Sequence, residues 1–247
     1  MRVVLLYHTP EPEFAVAQAA RLCYSAADSE ALRRALTPER VARLVRHLVD
    51  SGHHSAIEHA AFTFLLEGVS RAMTHQLVRH RIASYSQQSQ RYVGVSSDEG
   101  GGFACVVPPS VRRAGLADWF SERMAEAQRW YDLLCKKLRE AGLEGEDVYQ
   151  DARYVLPNAT QTRIMVTMNA RELRHFFRLR LCRRAQWEIR EAALEMLKRV
   201  KSVAPALFAG AGPACLAGPC PEGDRSCGGA AEVRKRFAEL DREVGHG

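Results

Sequence analysis

The apolar positions of this chain change period several times, and each change marks an element. "RVVLLYH" (2–8) is apolar and β-branched, the pattern of a buried strand. Residues 13 to 24 place apolar side chains at helical spacing. "TPERVARLVRHLVDSG" (37–52) predicts a strong helix, with Thr37 as cap, Pro38 in the first turn and Gly52 at the exit. "AAFTFLLEGV" (60–69) alternates around two phenylalanines and predicts a strand. Ser70 then opens a helix, "SRAMTHQLVRH", with Met73 and Leu77 on its apolar side. That helix delivers Arg79, His80 and Arg81 at its C-terminal end.

Beyond it, residues 94 to 102 are rich in glycine and serine and predict a flexible loop. "FACVVPP" predicts a short strand ended by two prolines. From Ser110 to about Ala141 the pattern is helical and amphipathic. "EDVYQDARYVLP" predicts a shorter helix stopped by Pro157. "TQTRIMVTMN" (160–169) predicts a strand, and "ARELRHFFRLRL" and "AQWEIREAALEMLKRVKSVAP" predict helices. From about Ala209 the chain turns to glycine, proline and cysteine, followed by a charged helical piece at 230–243. No repeat and no regular βαβ rhythm is present, so the expected fold is a mixed α/β (α+β) domain over 1–208 with a tail over 209–247.

Composition narrows the classes. With 247 residues, 47% of them apolar, the chain can bury a substantial core, which excludes a disordered protein. No apolar run approaches the ~20 residues that span a bilayer. "MRVVLLYHTPEPEF" breaks at Pro10 and Pro12 and reads as a first strand, not a secretion signal, so the expected compartment is the cytoplasm. The net charge of +6 points to anionic partners: a nucleotide, a nucleic acid or a phosphorylated cofactor. The basic residues are dispersed, which argues against a polybasic nucleic-acid tail. Seven cysteines, an odd number, make a disulfide framework a poor reading. Cys23, Cys105, Cys135 and Cys182 read as small core residues.

Three stretches carry chemistry. "RHRIASYSQQSQRY" (79–92) packs three arginines, one histidine, three serines and three glutamines with no acid. A basic helix C-terminus accounts for Arg79. It does not account for donors continuing to Arg91. An anion's pocket does, with arginine forks for phosphate and amides for base edges. "NARELRHFFRLR" (169–180) puts Asn169 at a helix N-cap and Arg171, His175 and Leu179 four apart on one face. Arg174 and Arg178 fall on a neighbouring face and read as solvated, with Phe176 and Phe177 in the core. In "SGHHSAIEHAAF" (51–62) there is no H-E-x-x-H, so His53 and Ser55 read as polar loop residues facing a ligand. The tail adds Cys215, Cys220 and Cys227 as C-x4-C-x6-C. A metal would need a fourth ligand, His246 or a subunit partner, so these read as free thiols and no metal site is expected.

In this order, the stretches resemble the flavin-dependent thymidylate synthases. The signature is R-H-R, seven residues, then S: Arg79-His80-Arg81, "IASYSQQ", then Ser89, with Arg91 two residues on. "GHHSAIEHAAFTF", "RYVLPNATQTR", "MNARELRHFFRLR" and "AQWEIR" match in order, so the resemblance covers about residues 1 to 205. It implies reductive methylation of deoxyuridylate (dUMP) to thymidylate, with methylenetetrahydrofolate as carbon donor, FAD as hydride carrier and NADPH as reductant. It implies a homotetramer whose active sites draw on several subunits. By position, it assigns FAD to Ser55, Arg79, His80, Arg81, Asn169, Arg171 and His175, with Gln87 near both ligands. It assigns the nucleotide to Gln76, Arg79, Gln87, Gln88, Ser89, Gln90, Arg91, Arg153 and Arg180. Arg180 takes the catalytic role of favouring ionisation of the uracil, and His53 stands near the flavin's reactive edge. Some relatives carry an acid where Gln87 stands.

The cysteine-nucleophile thymidylate synthases use a proline-cysteine-histidine tripeptide, and none occurs here. Ser89 has no adjacent base in sequence and reads as a nucleotide ligand. Two competing readings are weaker. A nucleic-acid-binding module would interleave exposed aromatics with the basic residues. A flavin-dependent RNA uracil methyltransferase would show a glycine fingerprint after a strand, which is absent.

Overall fold

A computed structural model describes residues 1–244, apart from the side chains at 99, 100, 243 and 244. In chain order the elements are β1 (Arg2–His8), α1 (Pro12–Leu22), α2 (Ser29–Ala35), α3 (Pro38–Asp50), α4 (His54–Ile57), β2 (Ala61–Ser70), α5 (Arg71–Leu77) and β3 (Ala83–Gln87). Next come α6 (Ser97–Gly100), α7 (Pro109–Arg113), α8 (Ala117–Glu140), α9 (Glu146–Ala152), β4 (Gln161–Asn169), α10 (Ala170–Arg180), α11 (Trp187–Val203) and α12 (Ala230–Val244). The fold is mixed α/β. The strands pair in the order β1-β2-β4-β3. Across β2 and β4, Ala170 N–H donates to the Ala60 carbonyl and the Thr63 and Thr167 hydroxyls meet at 2.9 Å, a falling-against-rising register that makes this pair antiparallel. No described helix is long and apolar enough to cross a membrane.

The chain divides into two compact units. The first comprises Met1–Arg2, Leu66–Val78 and Ser86–Ile164; the second comprises Val3–Leu65, Arg79–Tyr85 and the chain from Met165 on. The first unit's core joins α8 to α9 through buried Tyr131, Cys135, Val148 and Ala152. Gly94 lies so close to this cluster that a Cβ there would stand 2.5 Å from the Tyr149 ring. The second unit is built on aromatic contacts. Phe208 meets Phe62 edge-on at 5.3 Å and Phe177 at 6.0 Å, and Phe177 meets Phe176 at 5.8 Å.

The helix over 37–52 forms as α3: Thr37 Oγ1 accepts from Arg40 N–H at 3.4 Å, and Gly52 takes φ +77° at the exit. Other expectations need correction. "FACVVPP" makes only one bridge, Cys105 to Thr160, because Pro108 and Pro109 have no N–H to extend a ladder. The helix expected over 110–141 is broken at Gly115 (φ +71°), which separates α7 from α8. The loop at 94–102 is fastened: Ser96 is buried, and Ser97 donates its N–H and hydroxyl to Asp132 at 3.1 and 2.8 Å. α5 stops at Leu77, and the donor-rich segment after it contributes β3, which was not expected as a strand. The helix α2 was also not foreseen; Asp28 caps it, accepting from Ala31 N–H at 2.8 Å. Of the four cysteines expected in the core, only Cys135 is buried; Cys23 is exposed and Cys105 and Cys182 are intermediate.

Candidate active site

In the second unit, β4 runs directly into α10 at Asn169. The Asn169 side chain accepts from Glu172 N–H at 2.9 Å, an N-cap that starts the helix and fixes its phase. That phase buries Leu173, Phe176 and Phe177 and aims Glu172 inward. His80 is buried against it. Its Nδ1 meets Glu172 Oε1 at 3.1 Å, and its Nε2 meets Arg180 Nε at 3.0 Å. A guanidinium can only donate, so His80 Nε2 accepts and the ring proton sits on Nδ1, donated to Glu172. Burial, then the charges of Arg180 and His175, push the His80 pKa down to about 4, so the ring is neutral at pH 7. Burial raises Glu172, with His175 pulling the other way. Burial also lowers Arg180 and, with Glu172 second, raises Tyr85, whose hydroxyl donates to the His80 carbonyl at 2.9 Å. The chain Glu172–His80–Arg180 therefore locks one guanidinium by its Nε edge.

A cavity of about 710 Å³ opens beside α10, its wall including His54, Glu58, Asn169, Arg171, His175 and Arg178. Asn169, Arg171 and His175 are thus brought together as the sequence suggested. His53 and Ser55 are not on this wall: both are exposed, and α4 turns His54 and Glu58 toward it instead. The i, i+4 spacing of His54 and Glu58 was the available signal. Arg171 pairs with Glu58 at the surface. Arg174, expected to be solvated, is instead drawn inward and donates to the Leu207 and Ala209 carbonyls at 2.8 and 3.2 Å. Burial lowers its pKa, against the opposing effect of Asp50. Arg79 and Arg81 are exposed and form no ion pair among the described residues.

In the first unit, a second polar cluster forms where the donor-rich segment follows β3. Gln87 donates through Nε2 to the buried hydroxyls of Thr74 and Thr162 at 3.1 and 3.4 Å. Gln88 exchanges bonds with Arg163: its N–H donates to the Arg163 carbonyl at 3.0 Å and its Oε1 accepts from Arg163 Nε at 3.3 Å. Ser89 Oγ accepts from Arg91 N–H at 3.1 Å, closing a turn. Gln76 and Gln90 are half-buried in the same unit. Arg91 reaches Glu146 at 3.1 Å through Nη2, while its Nε is buried without a protein acceptor. Arg71 is lowered by burial and by the like charge of Arg153. The sequence reading included Arg153 but missed Arg71, which looked like an ordinary first-turn residue.

Both clusters suit phosphorylated ligands. The first unit offers paired arginines and an unmet Arg91 donor, and the second offers a cavity with room and donors for a flavin dinucleotide. His246, a conceivable metal ligand in the sequence, lies outside the described residues. Among the described residues, no three side chains already stand as a metal-holding group.

Comparison with known proteins agrees with this chemistry. A family model described as "Thymidylate synthase complementing protein" matches residues 4–206. A Geobacter sulfurreducens protein named "Flavin-dependent thymidylate synthase" is 53% identical over 244 residues, covering 97% of this chain and 99% of its own. The Clostridium tetani protein of the same name is 49% identical, covering 96% and 97%. That of Pyrococcus furiosus is 42% identical, covering 97% and 98%.

Proposed function

The chain belongs to the flavin-dependent thymidylate synthase family, and from that premise we propose how its two polar clusters divide the work. The protein is a thymidylate synthase that uses FAD and converts dUMP to thymidylate with methylenetetrahydrofolate as carbon donor. Bound FAD supplies hydride transfer, and the protein's task is to bind, orient and polarise.

The nucleotide cluster comprises Arg91, Arg153, Gln76, Gln87, Gln88, Ser89 and Gln90, to which Arg71 is added. Arginine forks take the phosphate, and side-chain amides take the uracil and ribose edges. Ser89 holds the turn that presents Arg91, its hydroxyl accepting from the Arg91 N–H, and with no adjacent base in sequence it is assigned to nucleotide binding. The flavin cluster comprises Arg79, Arg81, Asn169, Arg171 and His175, to which Ser55, exposed and off the cavity wall, and the buried His80 are assigned. Arg180 is the catalytic cation: presented by neutral His80, it stabilises negative charge that develops on the pyrimidine when C5 becomes nucleophilic. His53, exposed on the loop before α4, stands near the flavin's reactive edge. The reading extends to NADPH as reductant, to a cytoplasmic homotetramer and to sites completed by neighbouring subunits.

The observation that carries the nucleotide assignment is the Arg91 Nε, buried without a protein acceptor among these donors. Titration of the enzyme with dUMP tests it. Arg153→Ala is expected to weaken nucleotide binding by about ten- to a hundredfold while FAD retention stays unchanged, the loss of one charge-assisted contact. Unchanged dUMP affinity would remove Arg153 from the site.

A further inference from the structure

Three of the seven cysteines lie in a segment that has little apolar reason to be ordered. Between 211 and 229 only Ala211 and Pro213 are buried, and the regular structure amounts to two single 3-10 turns, Ala214–Leu216 and Gly223–Arg225. A loop of small residues of this kind buries too little surface to fix itself and ordinarily relies on a staple. Arginines supply part of one. Arg184 donates to Glu222 at 2.6 Å and to the Arg225 carbonyl at 3.0 Å. Arg234 donates to the carbonyls of Cys215 and Gly218 at 2.9 and 2.8 Å. At Gly229 any Cβ would stand 2.4 Å from an Arg183 nitrogen, so the chain there lies flat against that side chain.

These tethers fold the segment back over the end of α10, where a fourth cysteine lies. Cys182, just past α10, lines the same cavity of about 640 Å³ as Cys215, Cys220 and Cys227. Intervening stretches of 32, 4 and 6 residues concealed the set, because only the tail triplet looks like a motif. Arg178, Arg183 and Arg184 line the cavity too. Four thiolates around a doubly charged centre leave a net charge of about −2, which these cations offset.

We propose that Cys182, Cys215, Cys220 and Cys227 form a four-thiolate metal centre, taking Zn²⁺ or a [4Fe–4S] cluster, that staples the tail to the helix bearing Arg180. Cys220 and Cys227 are on loops and Cys215 is in a single 3-10 turn, so binding draws them in onto Cys182; coordination and local ordering are then one event. The same cavity wall includes His175 and Arg180, so the centre adjoins the flavin and catalytic assignments without using their side chains as ligands.

The test is metal and acid-labile sulfide content per chain of the full-length protein purified without oxygen. Support is about one zinc, or about four iron with about four sulfides; the sulfide assay separates the two. Cys182→Ser and Cys220→Ser are each expected to lower the bound metal at least about tenfold, whereas Cys23→Ser leaves it unchanged. Native-state alkylation of the unmodified protein guards against misfolded variants: the four thiols should be protected together and released together by a chelator or, for a cluster, by an oxidant. Less than about a tenth of an equivalent of both metals overturns the proposal. So do full metal content in Cys182→Ser and a disulfide among these cysteines in the anaerobic protein.

Discussion

The two polar clusters contain the same residue types and solve opposite problems. In the first unit, an arginine is left with unmet demand: the Arg91 Nε is buried without an acceptor, and burial, with the like charge of Arg153 second, lowers Arg71. In the second unit, demand is met internally: Glu172, His80 and Arg180 satisfy one another in a buried chain. The first arrangement leaves a donor open to an anion, which is how a binding site behaves. The second is rigid before any ligand arrives, which is how a positioning device behaves. A count of donors along the chain cannot distinguish the two.

The largest expected effect comes from breaking the second cluster at its end. Arg180→Ala should lower the rate of thymidylate formation by about 10² to 10³-fold, with flavin absorbance retained. Substantial turnover would remove Arg180 from the chemistry. Next, Arg91→Ala should weaken dUMP binding by about ten- to a hundredfold, measured by titration, without loss of FAD. If the two variants exchanged phenotypes, the distinction between binding and positioning would fail.

A pH series sharpens the comparison. The folded His80 pKa, about 4, lies below the free value of 6.5, so the unfolded chain binds more protons between those two limits. The His80 contribution to stability is therefore complete above about pH 6.5 and is lost as pH falls toward 4. Raised Glu172 acts in the opposite sense, so the readout is a difference: the change of unfolding temperature with rising pH in this window should be less positive for His80→Asn than for the unmodified protein. Equal slopes would mean that the ring is not held neutral. The smallest effect is expected at Glu58→Gln, which breaks an exposed ion pair with Arg171 and should change stability by less than about 1 kcal/mol by denaturant titration.

Long periodic segments were legible. α3, β2, β4, α10 and α11 appear where their apolar spacing put them, and the caps at Thr37 and Asn169 form as their side chains suggest. Elements governed by few residues were not: α2 depends on one cap, and the interruption before α8 on one glycine. The site residues from Arg79 to Arg91 were visible as a composition without acids, but their division between two units was not.

The sequence by itself determined the family, the helical and strand periods and the inventory of cationic donors, because these depend on residues close together in the chain. Only the tertiary structure decided that the charge of Arg153 bears on Arg71, that His54 and not His53 lines the cavity, that Arg174 is turned inward, and that Cys182 lines one cavity with the tail thiols. Each of those facts is a meeting of residues distant in sequence, or a choice of face made by packing. Backbone propensity and apolar period carry no information about which distant partner arrives.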